Sequence, residues 1–208
     1  MEDLRTYTAF CGERQLATGD VRTVLLHAKR YVDGGGGEPL LVFEDQSGMQ
    51  TELELEGTEE QALARLAADP AFAAALPQPV KPGRPKLGVV AREITLLPRH
   101  WEWLDRQPGG SSAALRRLVE SASKNGRGKE QARAAREAAG KFMWAMTGNL
   151  PDFEEATRAL YAKDQARLEA LIRDWPVDLR KHVERLSREA ARLEAAADEA
   201  REPDTRSM

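Results

Sequence analysis

The sequence predicts an α+β protein in three parts: a small amino-terminal ββαββα domain, a central strand-helix-helix segment and a carboxy-terminal helical bundle. Three observations carry this. Apolar residues alternate in two short stretches before residue 56, and a helical period follows each of them. Pro77, Pro79, Pro82 and Pro85 hold the chain extended and remove ladder donors, which marks a linker over residues 76–86. From Lys129 onward the apolar residues recur at helical spacing, with breaks at Gly148-Asn149 and Trp175-Pro176. The expected parts are residues 1–75, 87–126 and 127–200, with 201–208 as a disordered tail.

The first strand alternates at Tyr7, Ala9 and Cys11, turns at Gly12-Glu13 and returns through Gln15, Leu16 and Ala17. Asp20 is placed to cap a helix carrying Val21, Val24, Leu25 and Ala28, which ends near Asp33 and the run Gly34 to Gly37. Four consecutive glycines invite a phosphate-loop reading, but no Gly-Lys-Ser/Thr follows and a strand comes next, so they read as a connection. A second hairpin is expected from Leu40 to Phe43, a turn at Asp45-Gln46-Ser47-Gly48, and a strand from Met49 to Leu55. Its Glu52, Glu54 and Glu56 alternate with leucines and read as a solvated face rather than a metal site. Thr58 and Gln61 form a capping-box signature for a helix running to about Ala68.

Net charge is −3, but it is spread unevenly. Residues 1–80 hold 6 Lys/Arg against 14 Asp/Glu, residues 81–124 hold 9 against 4, and residues 125–208 hold 16 against 16. The cationic stretch is therefore the linker and the central segment, the part an anionic partner would feel.

In the central segment Val89 to Leu96 reads as a single strand, and Pro98 suits the start of a short helix carrying Trp101, Trp103 and Leu104. Pro108-Gly109-Gly110 stops that helix, and Ser111 or Ser112 caps a second one with Leu115, Leu118, Val119 and Ala122 on one face. About 40 residues cannot bury these faces alone, whereas two copies can. The order and spacing of Ile94-Thr95-Leu96, Trp101, Leu104 and the run Gly109 to Val119 resemble the ribbon-helix-helix DNA-binding family. The resemblance implies a homodimer paired through residues 87–97, with the paired strands entering the major groove. It also implies a phosphate clamp at the second helix's amino end, formed by the N–H groups and hydroxyls of Gly110, Ser111 and Ser112. Arg116 and Arg117 would add charge beside the clamp, and Thr95 is the one ordinary base reader on the outward strand face, beside Glu93, with Arg92 on the inner side. Gly83-Arg84-Pro85-Lys86 is similar to the core of an AT-hook, which places Arg84 and Lys86 among the DNA-contacting candidates. The alternative reading keeps the same fold for dimerisation alone, with no DNA.

Over nearly its full length the chain also resembles the uncharacterised bacterial family catalogued as domain of unknown function 2239. The phrases that carry this are Gly83 to Glu93, Leu96 to Leu104 and Phe153 to Leu160. That resemblance implies no activity.

Catalysis finds no foothold in the sequence. His27, His100 and His182 lie in three different segments, and there is no His-Glu-x-x-His, cysteine pair or Gly-x-Ser-x-Gly elbow. No cofactor or metal is expected, and the lone Cys11 reads as a small hydrophobe in a strand. The methionine and aromatic stripes of the last helices read as core, and the alanine-rich stretch after Ser187 as a solvated end. With no apolar run near 20 residues and no signal-peptide pattern, the expectation is a cytoplasmic protein without a membrane partner. The acidic amino-terminal domain would then be a sensor or partner-binding unit for a protein or small ligand.

Overall fold

The computed structural model describes residues 5–73 and 93–199, with residues 121–126 described by their backbone alone. It is a mixed α+β structure, mostly helical, with one antiparallel sheet at the amino end. The linker 76–86, the first half of the central strand with Arg84, Lys86 and Arg92, and the tail 201–208 lie outside the described residues.

The sheet has four strands in the order β2-β1-β3-β4, formed by β1 (Tyr7–Cys11), β2 (Arg14–Gly19), β3 (Leu40–Glu44) and β4 (Gln50–Thr51). Helix α1 (Val21–Asp33) starts where Asp20 accepts from the Thr23 N–H at 2.9 Å. Helix α2 (Glu59–Ala68) starts at a capping box in which Thr58 and Gln61 each accept the other's backbone N–H. Both caps satisfy first-turn donors that would otherwise be orphaned. The four-residue α3 (Pro70–Ala73) brings Phe72 over Tyr7.

All five β1 residues are buried, because the sheet is covered on both faces. Tyr7, Ala9 and Val42 point toward Val24 and Leu25 of α1 and Leu66 of α2. Phe10 and Phe43 point the other way, into a core built by α5 (Gly110–Met146), α6 (Phe153–Ala162), α7 (Gln165–Leu171) and α8 (Val177–Glu199). The Phe142 ring of α5 sits 5.3 Å from Phe10 and 5.1 Å from Phe43. The sheet thus belongs to two cores, which the alternation of Tyr7, Ala9 and Cys11 alone did not reveal.

Three further expectations are corrected. The strand expected over Met49 to Leu55 pairs only at Gln50 and Thr51; beyond them Leu53 and Leu55 pack against the α1–α2 core with no ladder. The second helix of the central segment does not stay within residues 87–126, since α5 runs unbroken from Gly110 to Met146. Gly126 and Gly128 lower its propensity by about 1 kcal/mol each without breaking it. Gly128 has a packing role instead, because a Cβ there would lie 2.7 Å from the Ala197 Cβ of α8. The alanine-rich end of α8 is solvated only in part: Ala191, Ala195 and Ala196 are exposed as expected, but Ala190 and Ala197 are buried, and Arg136 pairs with Glu194 at 2.6 Å.

A buried polar network ties the sheet to α8. The Asp45 carboxylate accepts from the Thr6 hydroxyl at 2.8 Å and the Thr8 hydroxyl at 2.9 Å, and pairs with Arg185 at 3.0 Å. Arg185 also donates to His182 Nδ1 at 3.1 Å, which leaves Nε2 as the protonated ring nitrogen of the neutral imidazole. That Nε2 is buried with no hydrogen-bond partner among the described residues, 3.8 Å from Asp45. Burial, and then the neighbouring Arg185 charge, hold the His182 pKa down to about 4, against the opposing pull of Asp45.

The sign of the consequence follows from proton uptake. Between pH 6.5 and 4 the unfolded chain binds a proton at residue 182 that the folded chain refuses, so acid favours unfolding. The stability is present in full above pH 6.5, and about 3 kcal/mol of it is lost by pH 4. Urea midpoints measured across that window should fall with pH, and should fall markedly less in His182→Phe. Equal slopes in the two proteins would refute this origin of the effect.

Candidate nucleic-acid interface

Helix α4 (Pro98–Asp105) begins with Pro98 in its first turn, where the missing N–H has no intrahelical role. Leu104 and Ala114 are buried where α4 packs on the first turns of α5. The turn between them requires glycine, because Gly109 and Gly110 have φ values of +85° and +77°.

The expected phosphate clamp is assembled only in part. Gly110 N–H donates to the Gln107 carbonyl at 3.1 Å, so it is already engaged. The Ser111 hydroxyl donates to the Asp105 carboxylate, which puts a negative charge beside the helix start. Ser112 is exposed, and its carbonyl accepts from Arg116 Nε at 3.1 Å. Arg117 reaches back to the Pro108 carbonyl at 2.7 Å, so its guanidinium lies next to the same turn. Gly110, Ser111, Ser112, Arg116 and Arg117 are therefore gathered around one helix start. Glu93 and Thr95 are exposed on a stretch, residues 93–97, that carries no ladder among the described residues.

Ile94 is 51% exposed in the single chain, and Leu97, Trp103, Leu118 and Val119 are exposed with it. Helix α5 runs antiparallel to α8, with Gly128 opposite Ala197, near the last described residues of α8. Among the described residues, α4 buries Ala114 on the first turns of α5 and leaves Leu115 partly exposed.

The charge is also distributed differently from the module as a whole. Over residues 93–120, Arg99, Arg106, Arg116 and Arg117 are balanced by Glu93, Glu102, Asp105 and Glu120. The cationic excess comes from Lys81, Arg84, Lys86 and Arg92, with Lys124.

The family model described as an uncharacterized protein conserved in bacteria (DUF2239) matches residues 6–187. The chain belongs to this family. The matched span of DUF2239 takes in the sheet, the α4–α5 module and the first half of α8. No curated protein and no solved structure matches the chain.

Asp45, His182 and Arg185 escaped the sequence reading. Asp45 looked like an ordinary turn residue and His182 like one of three scattered histidines, because 140 residues separate Asp45 from Arg185. One usable signal was present. Lys181, Arg185, Arg188 and Arg192 recur at intervals of four, three and four residues, which puts them on one face of a helix.

Proposed function

We propose that this DUF2239 chain is a homodimeric DNA-binding protein, acting as a transcriptional regulator, whose α4–α5 modules join two protomers and present the basic run 81–92 to phosphates. The observation that carries the reading is the set of exposed apolar side chains Ile94, Leu97, Trp101, Trp103, Leu118 and Val119 on one small module. Two tryptophans and four aliphatic side chains left on one module exceed the scattered exposure normal for a monomer and mark an association surface. A second chain brings its own copy of that surface, and doubles the cationic segments beside it.

Affinity in this reading is mainly electrostatic. Three phosphate contacts per chain would neutralise about six phosphates and make binding fall roughly a thousandfold between 50 and 200 mM salt. Fluorescence anisotropy of the full chain on several labelled duplexes at stepped salt measures this. Arg116→Ala combined with Arg117→Ala is expected to weaken binding about equally on unrelated duplexes, since phosphate contacts carry little sequence information. Thr95→Ala should instead alter preference between sequences. A protein that binds no duplex at low salt overturns the DNA reading. The charge balance of residues 93–120 and the Asp105–Ser111 contact favour a second reading, a dimeric interaction protein without DNA, and sedimentation showing a dimer with no duplex binding would select it.

A further inference from the structure

A groove of about 770 Å³ runs between α5 and α8 beside the β3–β4 turn. It lies within the size range of small-ligand sites. Its floor is apolar, with Ala134 and Ala135 from α5 and Leu186 and Leu193 from α8. The two alanines keep the α5 side of the groove low. Along one wall α8 presents the face carrying Lys181, Arg185, Arg188 and Arg192.

These cations are not equivalent. Arg188 is held by Glu169 and Glu184, and Arg192 by Glu189. Arg185 is pinned from behind: all its contacts among the described residues, to Asp45, Thr8 and His182, are made by Nη2. Its side chain is 47% exposed, so Nε and Nη1 remain as donors on a guanidinium whose orientation is fixed by the buried Asp45. A pre-oriented arginine loses little freedom on binding an anion. Lys181, one helical turn earlier, makes no ion pair among the described residues. With Arg188 and Arg192 taken up by Glu169, Glu184 and Glu189, the cations left to face a ligand are Lys181 and the outer donors of Arg185.

We propose that this groove binds an amphipathic monoanion, a carboxylate on an apolar body, with the carboxylate between Arg185 and Lys181 and the body on the alanine-leucine floor. A carboxylate can be met by Lys181 and the outer donors of Arg185, whereas a phosphate dianion would bring a second charge beside Glu184 and Glu189, which already take up Arg188 and Arg192. The site is separate from the α4–α5 module, and the proposal stands independently of DNA binding.

Isothermal titration of the full chain with octanoate tests it, with 1-octanol and octyl phosphate as comparison ligands. Octanoate is expected to bind saturably with one site per chain, and at least tenfold more tightly than either comparison ligand. Lys181→Ala should weaken octanoate about tenfold, and Ala134→Trp should abolish binding by filling the floor. Both positions are exposed, so circular dichroism should show the variants folded with unchanged melting. Equal binding of octanol, no saturable octanoate binding, or wild-type affinity in folded Ala134→Trp would each overturn the proposal.

Discussion

Gly48→Ala is expected to be among the most damaging single-methyl additions in this protein, costing about 3–4 kcal/mol. Two penalties combine. Gly48 has φ +65°, a left-handed conformation that costs an L side chain about 1–2 kcal/mol. A Cβ there would also lie 2.2 Å from the Ala138 carbonyl oxygen and 2.7 Å from its Cα. Those are backbone atoms of α5, so neither can swing aside, and the turn must lift off the helix. The same turn is fixed to the sheet by Gly48 N–H donating to the Glu44 carbonyl at 2.8 Å. Gly35→Ala is the control, because Gly35 has φ +78° but no atom within 4 Å of where a Cβ would sit, so only the conformational part applies. Urea denaturation of the two variants should show Gly48→Ala losing at least about 2 kcal/mol more than Gly35→Ala. Equal losses would mean that the turn does not pack on α5 as described.

Asp45→Ala is expected to cost about 3 kcal/mol, for a different reason. The carboxylate is 4% exposed and serves three donors at once, so its removal leaves the buried Thr8 hydroxyl, the Thr6 hydroxyl and the Arg185 guanidinium without it. Arg185 can turn its charge toward water, which keeps the loss at the lower end of that for a broken buried pair. Asp45→Asn preserves an acceptor for one threonine and should lose about half as much. The variants can be ranked by their urea midpoints at pH 7. An Asp45→Ala protein as stable as the parent would show that the network does not hold the sheet to α8.

The parts of the fold that were legible in the sequence are those fixed by neighbours within one turn. Asp20 before Val21, Thr58 with Gln61, and Pro98 after Leu97 each satisfy or remove a first-turn donor locally, and the helices begin there. The breaks at Gly148 and Pro176 likewise separated α5 from α6 and α7 from α8 where expected. What was illegible depends on partners remote in the chain. The role of Gly128 shows only with Ala197 against it, and of the alanines after Ser187 nothing local marks Ala190 and Ala197 as the buried ones. Phe10 and Phe43 gave no hint that the second sheet face closes on Phe142. For the candidate interface, the helices were legible from Trp101, Leu104 and Leu115, but the exposure of Leu118 and Val119 was not, since their helical spacing is that of a buried face.

The unequal halves of α5 bear on how that helix forms. A free helix must first close a turn at a large entropic loss, and segments shorter than about 12–15 residues are marginal in water. Here the turns from Gly128 to Met146 are already fixed by α8 and the sheet, so they act as the nucleus for everything before them. The outer turns need only propagation, one hydrogen bond for each residue ordered. Propagation is weakest at Gly126 and Gly128, so the stretch between them and the α4 contact at Ala114 is the part of α5 with least tertiary support. Amide exchange along α5 should accordingly quicken from Ala132 toward Val119, and in the proposed dimer a second chain seated on Leu118 and Val119 would reverse that gradient.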